Sequence, residues 1–217
     1  ILAAGKGTRM YSETPKVLHE LAGTSLVEHV ITTASNLNPA SITLVVGHQA
    51  DELESHLANK KYNFARQTEQ LGTAHAVEQA LPFLDDEAQV LILYGDVPLT
   101  KASSIEKLVA LTDESTMAVL TSEVKSPRGL GRIVRDKNRN IKTIVEEKDA
   151  NVEQKSINEI NTGIMAFPVK KLKKWLPRIN NNNTQNEYYL TDIVSLALED
   201  ECHVKTSFCK EEHEAYG

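Results

Sequence analysis

The chain has 217 residues, 41% hydrophobic and 25% charged, with 24 Lys and Arg against 30 Asp and Glu and a formal net charge of −6. That length buries a sizeable core without disulfide staples, and the acidic balance argues against a broad nucleic-acid surface, which needs clustered Lys and Arg. No secretory signal is visible and no apolar run approaches the roughly 20 residues of a membrane helix. Cys202 and Cys209, without metal-ligand spacing, read as ordinary packing residues of a soluble protein in a reducing, cytoplasmic setting.

The first segment, Leu2-Ala3-Ala4-Gly5-Lys6-Gly7-Thr8-Arg9, is followed after a spacer by Pro15-Lys16. Two glycines let a backbone loop approach a polyphosphate, its N–H groups can cradle anionic oxygens, and Arg9 and Lys16 supply charge where phosphates would lie. Two better-known loops are excluded. Lys6 precedes Gly7, against the order of a P-loop, and Met10 stands where a dinucleotide fingerprint needs its third glycine.

Further along, apolar runs at 42–46, 90–94 and 117–120 read as strands buried on both faces. Periodic segments at 26–36, 51–58, 73–84 and 104–111 read as helices between them. This alternation predicts an α/β architecture, a mostly parallel sheet flanked by helices. Gly72-Thr73 stands where a cap would start the 73–84 helix, and Asp96 follows the 90–94 strand and Gly95. Both motifs therefore fall at the carboxyl edge of the sheet, where open α/β folds bind ligands, and a carboxylate there suits Mg²⁺. After about residue 125, shorter alternating segments at 132–135, 141–146 and 160–167 predict a smaller antiparallel sheet forming the second wall of a cleft. Helices at 169–176 and 190–200 and a strand at 204–209 follow, with the lysine-rich run 170–174 read as a solvated helix face. The basic turn 136–140 reads as a tolerated insertion. The histidines are scattered without metal or nucleophile spacing, and His75 reads as a helix residue near the site, oriented by packing and not a general base.

Other motifs narrow the reading: Gln67-Thr68-Glu69-Gln70-Leu71-Gly72-Thr73-Ala74-His75-Ala76, Tyr94-Gly95-Asp96-Val97-Pro98-Leu99, Asn161-Thr162-Gly163, and Asn181-Asn182-Asn183 leading to Glu187-Tyr188-Tyr189-Leu190-Thr191-Asp192. With the opening loop, this set resembles the sugar-nucleotide pyrophosphorylases. Over nearly the whole chain it is similar to the uridyltransferase domain of the bacterial bifunctional N-acetylglucosamine-1-phosphate uridyltransferase/glucosamine-1-phosphate acetyltransferases. The resemblance implies a Rossmann-like nucleotidyltransferase fold in a single domain, with a nucleotide-binding lobe over about 1–125 and a sugar-binding lobe over 126–217.

It also implies a reaction, in which N-acetylglucosamine 1-phosphate attacks the α-phosphorus of UTP to give UDP-N-acetylglucosamine and pyrophosphate for cell-wall precursors. Such chemistry needs alignment, a metal and cations over the developing charge more than covalent help. By the same resemblance Arg9, Lys16 and Asp96 are catalytic, with Asp96 the Mg²⁺ ligand and Gly5, Gly7 and Lys16 holding phosphates. Ala3, Ala4, Gln67, Gly72 and Thr73 match uridine contacts, while Gly131, Glu146, Asn161, Tyr189 and Thr191 match sugar contacts. Leu2, Tyr94 and Gly95 belong to the substrate-binding motifs. Leu130 stands where the family often has an aromatic residue.

The resemblance further implies β residues ahead of residue 1, an asparagine metal ligand just beyond Gly217, and a C-terminal β-helix that carries acetyl transfer and trimerises the full-length proteins. Acetyl transfer is therefore not expected of these residues. Two other readings stay open: a different sugar-phosphate nucleotidyltransferase, and a nucleotide-sugar-binding module without turnover. Arg9, Lys16 and Asp96 speak against the second, because a binder does not need all three charges.

Overall fold

The structure is a computed structural model that describes every residue except 6, 8, 9, 11, 13, 59 and 60. After a 3-10 turn over Lys16–Leu18 comes a hairpin of two-residue strands, β1 (Glu20–Leu21) and β2 (Thr24–Ser25), turning through Ala22 and Gly23, both at positive φ as tight hairpins require. Ser25 caps α1 (Leu26–Ser35): its Oγ accepts from the Glu28 N–H and donates to the Glu28 carboxylate. Then come β3 (Thr43–Val46), α2 (Ala50–His56), β4 (Asn63–Arg66), α3 (Thr73–Ala80), β5 (Gln89–Ile92), α4 (Ala102–Val109) and β6 (Thr116–Glu123). The second half holds β7 (Arg132–Arg135), β8 (Ile141–Val145), α5 (Val152–Lys155), β9 (Glu159–Pro168), α6 (Val169–Trp175), α7 (Ile193–Glu199) and β10 (His203–Phe208).

Residues 1–3 fill the gap between β3 and β5. Val45 N donates to Ile1 O and Ala3 N to Val45 O on one side; Leu2 N donates to Leu93 O and Gly95 N to Leu2 O on the other. β4 lies parallel beyond β3, and β9 pairs antiparallel with both β5 and β6. β10 closes the far edge, parallel to β6. The main sheet is mostly parallel, as expected, and mixed because β9 runs antiparallel to its neighbours β5 and β6. β7 and β8 form the expected small antiparallel unit, joined to β9 where Arg132 faces Ile160.

The apolar runs are explained by burial on both sides. Met117, Val119, Met165 and Phe167 pack with Val77 of α3, Trp175 of α6 and Ile193 and Val194 of α7. Their neighbours Ala118, Leu120, Ile164 and Ala166 face the other way, onto Val30 and Ala34 of α1 and Ile105 and Leu108 of α4. A period of two with apolar residues in both registers reads as one continuous apolar run. Farther along the sheet, Leu44 and Val46 meet Val27 and Ile31 of α1 and Leu53 of α2. Helix ends differ from expectation where proline or side chains intervene. The 73–84 helix is α only to Ala80, after which Pro82 sits in a 3-10 turn, and the 190–200 helix begins as a 3-10 turn over Leu190–Asp192. The basic turn 136–140 is the β7–β8 connection, organised by Asp136 Oδ1, which accepts from the N–H groups of Asn138 and Asn140. Three of the four lysines of 170–174 are ion-paired, Lys170 with Glu87, Lys173 with Asp86 and Lys174 with Asp200, and Lys171 lies over the Trp175 ring.

β9 changes partners at Asn161-Thr162-Gly163, opposite a register shift between Val119 and Thr121. The motif satisfies its own irregular backbone: Thr162 Oγ1 donates to Leu120 O at 2.8 Å and accepts from Ile164 N, while Asn161 Oδ1 accepts from Gly163 N at 3.0 Å. Gly163 has φ +85°, and a Cβ there would lie 2.5 Å from Tyr94 Cε2, so the Tyr94 ring rests on the bare glycine. Gly163→Ala should cost about 3 kcal/mol, from the left-handed backbone and the displaced ring together. Urea unfolding checks this, and an unchanged midpoint would mean that the ring moves aside freely.

Candidate functional site

A cleft of about 780 Å³ opens at the carboxyl ends of β3, β5 and the 1–3 strand. Leu2, Ala3, Ala4, Gly5, Gly7 and Lys16 line it from the opening segment, Gln67, Gly72 and Thr73 from the β4–α3 connection, and Tyr94 and Asp96 from the end of β5. Arg9, with Lys6 and Thr8, lies outside the described residues. The two loop glycines do different things. Gly5 has open space where a side chain would be, leaving its backbone accessible, whereas Gly7 has φ +56° and a Cβ there would sit 2.7 Å from Lys16 Cβ. The absence of a side chain at Gly7 lets Lys16 rise against the loop.

Lys16 Nζ donates to Asp96 Oδ2 at 2.7 Å, and the two side chains are only 27% and 28% exposed. The pair joins the loop to the end of β5, presenting a cation and a carboxylate side by side in the cleft. Gly95 does not line the cleft; it lets β5 pack onto the 1–3 strand, where a Cβ would come within 3.3 Å of Ala3 Cβ and Leu2 O. Gly217 lies against the Asp96 carbonyl.

On the opposite wall, Gln67 is 4% exposed, and its Nε2 donates to Gly72 O and to His75 Nδ1, both at 3.1 Å. Gly72, φ +115°, starts α3 in close contact with Tyr188: a Cβ would be 2.6 Å from Tyr188 O. Tyr188 O accepts from Ala74 N, Tyr188 N donates to Leu71 O, and Thr73 Oγ1 accepts from Leu190 N at 2.9 Å. The 188–190 segment is thereby zipped onto the start of α3.

The residues matched to sugar contacts do not line this cleft but gather beside it. Asn161 N donates to Gly131 O, Thr191 Oγ1 donates to Glu146 Oε1 at 3.0 Å, and a Cβ on Gly131 would lie 3.4 Å from both Glu146 oxygens. Burial pushes the Glu146 carboxyl up from its ordinary value, against the opposing hydrogen bond from Thr191. Tyr189 is also buried, which raises its phenol to about 12. Tyr94 stands between the two groups. Burial holds its phenol far above the ordinary value, with the charges of Glu146 and Asp96 adding to the effect and a hydrogen bond with Thr73 opposing it.

Several lining residues have no role assigned from sequence: Met10, Val17, Leu26, Gln70, Ala76, Glu187 and Gly217. Gly47 has none either, although a Cβ there would sit 2.6 Å from Gln70 Nε2 and 2.9 Å from Ala4 Cβ. A glycine directly after a buried strand is the signal that marks it, the same signal that marks Gly95. Among the described residues no group of three or more His, Cys, Asp or Glu gathers as a metal cage. Cys202 and Cys209 are free and buried, and no helix among the described residues is long and apolar enough to cross a membrane.

The chain is 54% identical over 200 residues to Bifunctional protein GlmU of Cellvibrio japonicus, covering 92% of this chain and 44% of that protein. It is 50% identical over 217 residues to the protein of the same name from Saccharophagus degradans, covering 100% of this chain and 48% of that one. The chain thus spans about half the length of the curated relatives it matches. Two solved structures share the fold. One, provisionally named a glucose-1-phosphate thymidylyltransferase from Bacillus anthracis, in complex with a sucrose, has TM-score 0.75 at 18% identity over 96% of this chain and 85% of that one. The other, a nucleotidyl transferase from Methanothermobacter, has TM-score 0.68 at 17% identity over 99% and 87%. Residues 1–154 match the family model of the MobA-like NTP transferase domain, and with the loop, the sheet and the cleft in agreement, the chain belongs to that family.

Proposed function

We propose that these residues form a cytoplasmic UDP-N-acetylglucosamine pyrophosphorylase, a uridyltransferase that joins UTP to N-acetylglucosamine 1-phosphate and releases pyrophosphate. The observation that carries the reading is the single cleft in which the glycine loop, the Lys16–Asp96 pair and the Gln67-Gly72-Thr73 wall face one another. The two GlmU relatives support the choice of substrates. Trimerisation, implied by the same resemblance, would rest on a segment outside these residues.

In this reading the backbone of Gly5 and Gly7 holds the triphosphate, with Ala3, Ala4, Gln67, Gly72 and Thr73 around the uridine. Gly131, Glu146, Asn161, Tyr189 and Thr191 hold the sugar across Tyr94. An oxygen of the sugar phosphate forms a bond to the α-phosphorus of UTP as the bond to the bridging oxygen breaks, and pyrophosphate leaves with that electron pair. Lys16 sits over the developing charge, and Arg9 is assigned to the departing pyrophosphate. The Asp96 carboxylate, facing the cleft beside the glycine loop, fits the way Mg²⁺ is held, by one or two carboxylates with phosphate oxygens and water. Bound at Asp96, that ion would neutralise charge on the phosphates.

Lys16→Ala should lower turnover by about 10²-fold or more, since a cation over transition-state charge contributes several kcal/mol. Pyrophosphate release checks it, alongside a melting curve; normal turnover in the folded variant removes Lys16 from the chemistry. Asp96→Asn should raise the Mg²⁺ concentration needed for half-maximal rate, and an unchanged Mg²⁺ titration places the ion elsewhere.

Glu146 supplies a pH test. Its carboxyl is raised by burial, so it takes up a proton at higher pH than an ordinary glutamate. If the carboxylate accepts from sugar hydroxyls, affinity for N-acetylglucosamine 1-phosphate falls on acidification, beginning above the usual glutamate range, and Glu146→Gln flattens that dependence. Calorimetry across this window decides it; the same slope in both proteins would detach Glu146 from the sugar.

A further inference from the structure

His75 lies on α3, behind the cleft wall and outside the residues that line it. It borders a separate outer groove with Leu71, Glu78 and Tyr188. Its Nδ1 nevertheless meets Gln67 Nε2 at 3.1 Å, across the turn that carries Gly72. The chemistry of this contact is constrained from both ends. Gly72 O can only accept, so the atom of Gln67 beside it is the amide nitrogen. With one amide hydrogen on Gly72 O, the second points to His75 Nδ1, which must then be the unprotonated nitrogen of the ring, with the hydrogen on Nε2. Both donors of the Gln67 amide are thereby spent within the protein. What this buried side chain has left to offer the cleft is its oxygen, an acceptor.

We infer that His75 is a positioning residue for base selection: its Nδ1 locks the Gln67 amide so that the site presents an acceptor and no donor to the base. This rests on the uridine reading above. Uracil carries a hydrogen on N3, which a fixed acceptor matches. Cytosine carries a lone pair on N3, which the same acceptor repels. With Nδ1 removed, the single bond to Gly72 O remains as a pivot, and the unpaired amide hydrogen turns toward the cleft, where it can meet the cytosine lone pair. A buried amide hydrogen does not stay unpaired when a partner is within reach.

The test uses two substitutions of the same shape. His75→Asn keeps an acceptor where Nδ1 was; His75→Leu has the same branching and none. Dissociation constants for UTP and CTP are measured by calorimetry on the unaltered chain and on both variants. The expected result is a UTP preference that falls by about tenfold in His75→Leu, the worth of one net hydrogen bond, and is retained in His75→Asn. A preference that survives in His75→Leu, or that both variants lose equally, overturns the inference alone. Equal binding of UTP and CTP by the unaltered chain overturns the uridine reading and the inference with it. Independently of any variant, ¹⁵N spectra of the unaltered protein at neutral pH should show the His75 tautomer protonated on Nε2; protonation on Nδ1 overturns the inference.

Discussion

Three residues at the start of the chain hold the site in register. Ile1, Leu2 and Ala3 are hydrogen-bonded on both sides, to β3 through Val45 and to β5 through Leu93 and Gly95. A strand paired on both edges cannot slide, since a one-residue slip would turn its side chains to the wrong face and break both ladders. The glycine loop therefore leaves the sheet from a fixed point, beside the end of β5. The Lys16–Asp96 contact follows from that placement, with Gly7 and Gly95 supplying the close approaches that let loop and strand converge.

The cleft is polarised by what surrounds it. Lys16 and Asp96 balance each other on one side, while on the other burial, and after it the charges of Asp192, Asp149 and Glu187, favour protonation of Glu146. Tyr94 separates the two regions as a phenol that burial keeps neutral. A neutral septum resting on bare Gly163 lets an anionic ligand and an acidic wall lie close without a direct charge contact.

Much of this was legible in the chain. The 117–120 strand is recognisable because both of its faces are apolar, and α1 because its periodic pattern survives folding. β4 was missed: Asn63, Phe64, Ala65 and Arg66 form a four-residue edge strand whose mixed polarity matches a loop as well. β1 and β2 have two residues each, below any periodic signal, and β9 reads as antiparallel without revealing that it would enter the main sheet. In the site, a role is readable from sequence at the motif positions that match family contacts but not at Gln70 and Glu187, which stand inside the same motifs and reach the cleft through tertiary approach. Gln70 reaches the cleft over Gly47, and Glu187 arrives because Tyr188 is bonded to the start of α3. The tie between Gln67 and His75 depends on a turn folding the chain back, which spacing alone does not encode.

The ten residues of β9 belong to the main sheet and to the β7–β8 unit at once: the first part pairs with β7 and β6, the second with β6 and β5. Two sheets joined by a loop can swing apart, but two that share a hydrogen-bonded strand cannot separate without tearing its ladder. Where the partners change, the side chains of Asn161 and Thr162 keep the strand backbone hydrogen-bonded. Amide protons of β6, β9 and the β7–β8 hairpin therefore report on one common opening unit, while the β4 edge frays on its own.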